Sequence, residues 1–540
     1  MDLMVQRIKK RYWLLPFVWL FFFLALHSMV GDSPTMDEQN HLARGLAFVR
    51  TGDPRLSLEH PPLINALSAL PLLTLPDLRL PTDDSSWEQM DGWYRFAELL
   101  VWHYNDDVTR MFFVARLPIV FLMLGLALAG FWAGNELWGT PAGHITFFLL
   151  LFDPNLLAHG RYSTTDLGGT ATIFLATWLL WRLWAGRGHW LATAIGIGLA
   201  FGSKLSAVGF IPIWVLLALA WPAPGRVHRL FQLFTAGLAA LLLVWAIFAF
   251  QWGPFQFQRP ELLALNQWSG PMPTFWAGLE RVLLWSNGGR PSFLLGQSSP
   301  NGFWAYFPVA FLVKTPLPAL LLILLATIFI LRDKATRQTG LLLWLPAGLY
   351  FLLALQSSLN IGYRHLLPML PFLYLLVGGL GQRWATHWLF RGLLLAFLLS
   401  TLTIHPHYLS YFNWLAGGPQ NGYNVLLDSN VDWGQDLLRL RDWLAENGQE
   451  QVKLAWFGSA DPAYYGMNYQ PLPGLPRHFD LWWQEPLPFD PTNPEPGLYA
   501  ISVSNLWELP RVEDKVVFAW FRAHRPDARV GYSIFIYRVP

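Results

Sequence analysis

The chain has no cysteine in its 540 residues, which excludes disulfides, thiolate catalysis and cysteine-ligated zinc. Charge is also scarce. Only 13% of residues are Asp, Glu, Lys or Arg, about half the ~25% of an ordinary soluble domain. Basic and acidic residues nearly cancel, 37 against 35, for a net charge of +2, which argues against nucleic acid as a partner. Apolar surface is what the chain has in excess. Apolar residues make up 54% and aromatics 16%, with 39 Phe, 30 Trp and 17 Tyr, and the mean hydropathy is +0.32. A water-soluble fold cannot hide that much apolar surface, so a lipid bilayer is the expected surroundings of most of the chain.

A spanning helix needs about 20 mostly apolar residues, because in lipid its backbone must satisfy itself. Such segments read at 12–30, 111–134, 142–158, 168–184, 190–203, 206–221, 231–250, 303–331, 341–357, 363–381 and 391–406, about eleven in all. The pair between Trp190 and Trp221, with Gly202-Ser203-Lys204 at its middle, reads either as two spans or as two short helices meeting at a shared tip. With a cytoplasmic N-terminus, the inner segments carry Arg7, Lys9, Lys10, Arg11, Arg182, Arg187, Arg226, Arg229, Arg332, Lys334, Arg337, Arg383 and Arg391. The short outer loops carry Arg161, Lys204 and Arg364. That asymmetry sets the orientation by the positive-inside rule. The first apolar run has a basic start but no small-residue cleavage site before Asp32, so it reads as a retained anchor.

An odd helix count places the C-terminus outside. The expected organisation is a membrane part over 1–404 and a small soluble α/β domain over 405–540, where 10 basic residues face 15 acidic ones. There Asp436–Glu446 is an amphipathic helix stopped by Asn447-Gly448, and Val452–Phe457, Leu498–Val503 and Tyr532–Val539 are strands. Two long outer loops, 31–110 and 251–302, interrupt the membrane part. The first is rich in Asp and Glu, Asp91 among them, and is the expected seat of chemistry.

Just after the first span, Thr35-Met36-Asp37-Glu38 has capping-box spacing, which predicts a short helix on the outer membrane face. Asp37, His41 and Arg44 share one side of it. The acids either complement the helix N-terminus or present a carboxylate as a general base. Glu59-His60-Pro61-Pro62-Leu63 follows. Its prolines fix a turn before an interfacial helix over 63–75, and Glu59 and His60 are either turn residues or site residues. Asp166 stands where an outer loop enters the fourth span, as a helix cap or as a costly and therefore functional intramembrane carboxylate. Lys204 needs an anion, either Asp166 or a lipid phosphate, unless its amine snorkels to the interface. Arg364-His365 opens the tenth span, where Arg either grips phosphate or anchors at the interface. Lys314 lies about eleven residues into the eighth span if that begins at Phe303. Asp428, Asp432 and Asp436 recur every four residues, which on a helix makes one acidic face, with an active-site role, acceptor recognition and plain solvated surface as the alternatives.

Taken together, these pieces resemble the polytopic polyprenyl-phosphate-dependent glycosyltransferases of the GT-C type. Within that group the chain is similar to bacterial relatives of dolichyl-phosphate-mannose:protein mannosyltransferases and of lipid A aminoarabinose transferases. The pieces are Asp37-Glu38, Glu59-His60-Pro61-Pro62-Leu63, Thr165-Asp166-Leu167, Gly202-Ser203-Lys204, Tyr363-Arg364-His365-Leu366-Leu367-Pro368 and the segment Pro406–Asp436, in this order over about residues 30–440. The resemblance implies a sugar carried on a polyprenyl phosphate and attacked with inversion by an acceptor hydroxyl at the outer face of the plasma membrane. It implies Asp37 as base, Glu38 near the acceptor, Asp166 positioning either partner, and Lys204, Arg364 and His365 at the donor phosphate. Glu59, His60 and Asp432 would position the acceptor or the loops. No metal is required, although some members use one and Asp37, Glu38, His60 and Asp166 are possible ligands. Two other classes compete: a flippase for a lipid-linked sugar, which would share the bundle and its cations, and a non-catalytic assembly protein, which would leave Asp37 and Lys204 without a purpose. No inverted repeat of the transporter kind is evident.

Overall fold

The computed structural model describes residues 14–90, 92–474, 486, 489–509 and 515–540. Arg7, Lys9, Lys10, Arg11 and Asp91, used in the sequence argument, lie outside the described residues. The described chain is mainly helical: α1 (Leu15–Val30), α2 (Glu38–Thr51), α3 (Pro62–Ala69), α4 (Val108–Trp138), α5 (Thr140–Phe152), α6 (Pro154–His159), α7 (Thr165–Trp184), α8 (Trp190–Ser203), α9 (Phe210–Ala220) and α10 (Arg226–Ile247). Further on come α11 (Pro273–Gly288), α12 (Tyr306–Lys314), α13 (Leu317–Arg332), α14 (Arg337–Leu355), α15 (Leu370–Gly378), α16 (Trp388–Ile404) and α17 (Leu437–Glu446).

Each apolar segment expected to span is helical, but the count of eleven full spans is corrected. Among the described residues only α4, α10 and α14 are long and apolar enough to cross a membrane alone, and α12 with α13 adds a fourth span if that pair, bent by 107°, counts as one. The other segments are shorter or broken. The 142–158 segment breaks at Asp153, whose carboxylate accepts from the Asn155 and Leu156 amides at 2.8 and 2.9 Å and so caps α6 before Pro154 can interrupt the bonding. The Trp190–Trp221 pair is two short helices of 14 and 11 residues, with a 3-10 turn after Lys204. Lys314 is not inside a long helix: it ends α12, and its ammonium donates to the Leu409 and Asn430 carbonyls, each at 2.7 Å.

Large apolar side chains cover the outside of this bundle, with Trp19, Phe121, Phe231, Phe234 and Leu242 exposed. A face of that kind in water would aggregate; in lipid it costs nothing. The chain is a membrane protein.

The loop after α10 carries two antiparallel ribbons, β1 (Trp252–Pro254) with β2 (Ser269–Pro271) and β3 (Ser292–Leu294) with β4 (Gln297–Ser299). Near the end of the chain, β5 (Val452–Ala455), β6 (Tyr469–Pro471), β7 (Gly497–Ser502), β8 (Ala528–Val530) and β9 (Ile534–Val539) form a mixed sheet in the order β6-β5-β7-β9-β8. The helix and the three strands read from the sequence are all present, each strand within two residues at either end.

Leu437, Leu440 and Leu444 fall on one face of α17 and share an apolar cluster with Val452, Ile534 and Ile536. Leu42, Leu46 and Phe96 of the first long loop belong to the same cluster. The loop after α1 and the tail after α16 therefore fold onto each other. Their backbones join as well: Met36 N–H donates to Trp433 O at 2.8 Å, and Ser33 N–H to Gln435 O at 3.0 Å.

Candidate functional site

Residues distant in sequence meet around one cavity of about 460 Å³. Its walls come from the start of α2, the Glu59–His60 turn, the start of α7, the chain break at Lys204, the 3-10 turn over 363–369, and the tail at Asp428 and Trp433. Asp37 is the N-terminal flanking residue of α2 and makes no side-chain cap bond. Its carboxylate instead reaches out and accepts from Arg364 Nη1 at 2.8 Å. The same nitrogen lies 3.7 Å from Asp166 Oδ2, and Asp166 Oδ1 is 2.5 Å from Lys204 Nζ. Asp37, Arg364, Asp166 and Lys204 thus form one alternating chain of charge. The anion that Lys204 needs is Asp166. Asp166 sits in the first turn of α7, one residue past Thr165, while the cap position is Thr164.

Local backbone explains how these groups meet. Lys204 ends α8 in an extended conformation, φ −154° and ψ 129°, which breaks the helix and turns its side chain across α7. Gly169 makes room, because a Cβ there would stand 3.0 Å from the Lys204 stem. Arg364 is fixed by its neighbour, since Tyr363 N–H donates to Asn430 Oδ1 at 2.9 Å. Its guanidinium lies 4.4 Å over the Trp433 ring. Buried Nε of Arg364 and Nε2 of His365 have no hydrogen-bond partner among the described residues. Both atoms are sealed from the cavity, so it is the charges of Lys204 and Arg364 that an anion in it would meet.

Burial works to raise the Asp37 carboxyl, but Arg364 outweighs it and holds the group below the usual carboxylate range. Asp37 is therefore ionised at neutral pH. His41 and His60 stand beside it with ring centroids 4.6 Å apart. Burial, with Arg44 adding to it, lowers His41 to about 4, and burial next to His41 pushes His60 well below its ordinary value. Both are neutral and hydrogen-bonded, His41 to Asn65 at 2.9 Å and His60 to Thr165 Oγ1 at 3.1 Å. Glu59 lines the cavity and pairs with Arg44 at 2.7 Å.

Several expectations are corrected here. Glu38 does not line the cavity: its side chain is 0% exposed, against 36% for Asp37. It is held by Arg116 at 2.7 Å, by the Ser163 amide at 2.9 Å and by the Thr35 amide at 2.9 Å. The last contact is half of the expected capping box, but the helix it precedes has 14 residues and is buried from Glu38 to Ala47 rather than lying open on a membrane face. Asp428, Asp432 and Asp436 share no helical face, because the chain turns at 428–430 and the helix starts only at Leu437. Asp432 and Asp436 are fully buried rather than solvated. Asp432 accepts from the Ser504 amide at 3.1 Å, and burial pushes its carboxyl well above the usual range. It is not among the residues lining the cavity. Asp436 joins Arg439 and, through it, Asp32, both at 2.6 Å.

Arg290, from the second long loop, and Trp433 are among the cavity-lining residues that the sequence reading gave no role. Nothing local marks either one. Asp37, Glu38, His60 and Asp166, taken as a ligand set, are split between the two networks, and among the described residues no group of three or more His, Asp or Glu is placed to hold a metal ion.

No protein-family profile matches the chain, and no curated protein matches it. Solved structures similar to it include two of one protein. One is ArnT from Cupriavidus metallidurans in the apo state, at 14% identity over 98% of this chain and 98% of that one, with a TM-score of 0.48. The other is the same protein bound to undecaprenyl phosphate, at 14% identity over 97% of each chain, with a TM-score of 0.49.

Proposed function

We propose that this protein is an integral-membrane glycosyltransferase that moves a sugar from a polyprenyl-phosphate donor to a hydroxyl acceptor at the outer face of the plasma membrane. The observation that carries the reading is the pairing of an ionised, cavity-facing carboxylate, Asp37, with Arg364 and Lys204 in the same cavity. The ordered motifs that resemble GT-C enzymes support it from the sequence side.

The chemistry follows from these groups. The acceptor oxygen bonds to the anomeric carbon as the bond from that carbon to the phosphate oxygen breaks, which inverts the centre. Asp37 takes the hydroxyl proton as the bond forms. Lys204 and Arg364 stabilise the charge gathering on the departing phosphate. Asp166 holds both cations at their stations. His365 borders the same wall, and Glu59 with His60 shapes the acceptor side. A phosphodiester donor already carries a good leaving group, so no metal is needed. The N-terminus is cytoplasmic and the region after α16 lies outside.

Purified protein, incubated with a panel of polyprenyl-phosphate sugars and a crude membrane and periplasmic extract, will release free polyprenyl phosphate in an acceptor-dependent way. Release without dependence on acceptor would make the protein a hydrolase. No release with any donor, together with passage of lipid-linked sugar across reconstituted vesicles, would make it a flippase.

A further inference from the structure

Among the residues lining the cavity, Asp428 alone combines a side chain with a left-handed backbone, φ +57°. Asp tolerates that region better than most residues but still adopts it at a cost, so the surroundings must impose it. They do. Ser429 Oγ donates to Ile361 O at 2.5 Å, Asn430 Oδ1 accepts from Tyr363 N–H at 2.9 Å, Asn430 Nδ2 donates to Tyr306 OH at 2.9 Å, and Lys314 donates to Asn430 O at 2.7 Å. Gly362 allows the closest of these approaches, since a Cβ there would stand 2.3 Å from Ser429 Oγ. The turn carrying Asp428 is thus clamped to the turn carrying Arg364.

The clamp aims one carboxylate oxygen. Oδ1 of Asp428 accepts from the Ser429 amide at 2.6 Å, and Oδ2 has no hydrogen-bond partner among the described residues. The charged and titratable groups facing it are Arg364, Asp37 at the start of α2, Arg290 from the second long loop, Tyr306 of α12 and Asp432 of its own segment. Burial raises its carboxyl to about 6, with Arg364 opposing.

We propose that Asp428 is a donor-specificity residue that holds the transferred sugar by its hydroxyls. This rests on the reading of Arg364 as a phosphate-binding group. In a polyprenyl-phosphate sugar the anomeric carbon is one oxygen away from phosphorus, so a side chain facing the same guanidinium borders the sugar ring. An ionised carboxylate is an acceptor only, and hydroxyl groups supply what it accepts. Trp433, which carries Arg364 on its ring face, continues that wall.

The test is binding to the detergent-purified full chain at pH 7.5 of bare decaprenyl phosphate and of decaprenyl-phosphate glucose, mannose and galactose. Asn keeps both the shape and the tolerance for a left-handed backbone, so Asp428→Asn is the variant to compare. The wild type is expected to bind at least one hexose donor more tightly than bare decaprenyl phosphate. The variant is expected to lose about tenfold or more of that donor's affinity, as for a hydrogen bond to a charged group, with affinity for bare decaprenyl phosphate unchanged. The wild-type preference should fade between pH 7.5 and 5 as Asp428 takes up its proton, and the variant should show no such fade. Because the folded chain holds that proton more tightly than the unfolded one, stability falls as pH rises through about 4 to about 6. The variant's melting temperature at pH 7.5 should therefore be no lower than wild type. Equal losses for bare and sugar-bearing lipid, or none for either, would overturn the assignment while leaving the transferase reading intact. Failure of bare decaprenyl phosphate to bind the wild type at all would overturn both.

Discussion

Asp37 and Glu38 are neighbours in sequence with opposite surroundings. Glu38 is sealed: among the described residues its side chain bonds to Arg116, Thr35 and Ser163, and nothing of it is exposed. Asp37, one residue earlier, faces a cavity and shares Arg364 with Asp166. The Glu38 network belongs to a larger interior set in which Asp32 binds Arg161, Tyr162 and Arg439, tying the first loop to α17. The Asp37 network lines open volume. An ion network closed off from open volume holds structure together, whereas one beside a cavity is free to meet a ligand.

Mutation can break that contrast, and the largest effect is expected in the sealed network. Arg116→Met strands the Glu38 carboxylate without its counter-charge, and breaking a buried pair in this way costs about 3–5 kcal/mol. Thermal unfolding of the purified variant checks this; a melting point near wild type would show that the network is not structural. Next comes Asp37→Asn, which should leave the fold intact and lower acceptor-dependent release of polyprenyl phosphate about a hundredfold or more, the low end of what a general base supplies. Its pH profile sharpens the point. Because Asp37 stays ionised well into the acid range, it contributes no falling limb between pH 5 and 8. A limb in the wild type that Asp37→Asn abolishes would contradict this assignment.

The legible part of this protein was what depends on nearby residues. Apolar runs marked α4, α10 and α14, the described helices long enough to cross a membrane alone, because hydrophobicity is read locally, and the Asn447-Gly448 stop placed the end of α17. Asp37, His41 and Arg44 were expected on one side of a helix, and all three line the cavity. The breaks at Asp153 and Lys314 were not legible, because the partners satisfying the freed groups come from tertiary packing, whereas Gly202-Ser203-Lys204 already marked the break between α8 and α9. The contact between Asp37 and Arg364, 327 positions apart, left no trace in the order of residues. The Asp428–Asp436 spacing misled for a related reason. A four-residue period means a face only on a helix, and the clamped turn at 428–430 removes the helix.

A smaller effect is expected at Lys204. Lys204→Met should weaken donor binding about tenfold, by removing one of two cations from the proposed phosphate wall while Arg364 remains. Equal loss of affinity for a neutral polyprenol would show that the residue acts through packing instead. The smallest effect belongs to a pair outside both networks. Asp84 and Arg95 meet at 3.0 Å with Arg95 half exposed, so Asp84→Asn should cost no more than about 1 kcal/mol. Its hydrogen bonds with Arg95 and Ser86 hold the Asp84 carboxyl below its usual range. The pair's contribution is therefore present above about pH 4 and fades as pH falls below it. Urea titration at pH 7 and pH 3 would measure both.

The most direct test sets the two neighbouring acids against each other: kcat/KM for acceptor-dependent polyprenyl phosphate release, per folded molecule, in Asp37→Asn and Glu38→Gln. The division of roles predicts that Asp37→Asn is stable and at least about a hundredfold slower, whereas Glu38→Gln is destabilised and its folded fraction turns over within about tenfold of wild type. A folded Glu38→Gln protein as inactive as Asp37→Asn, or a fully active Asp37→Asn, would contradict it.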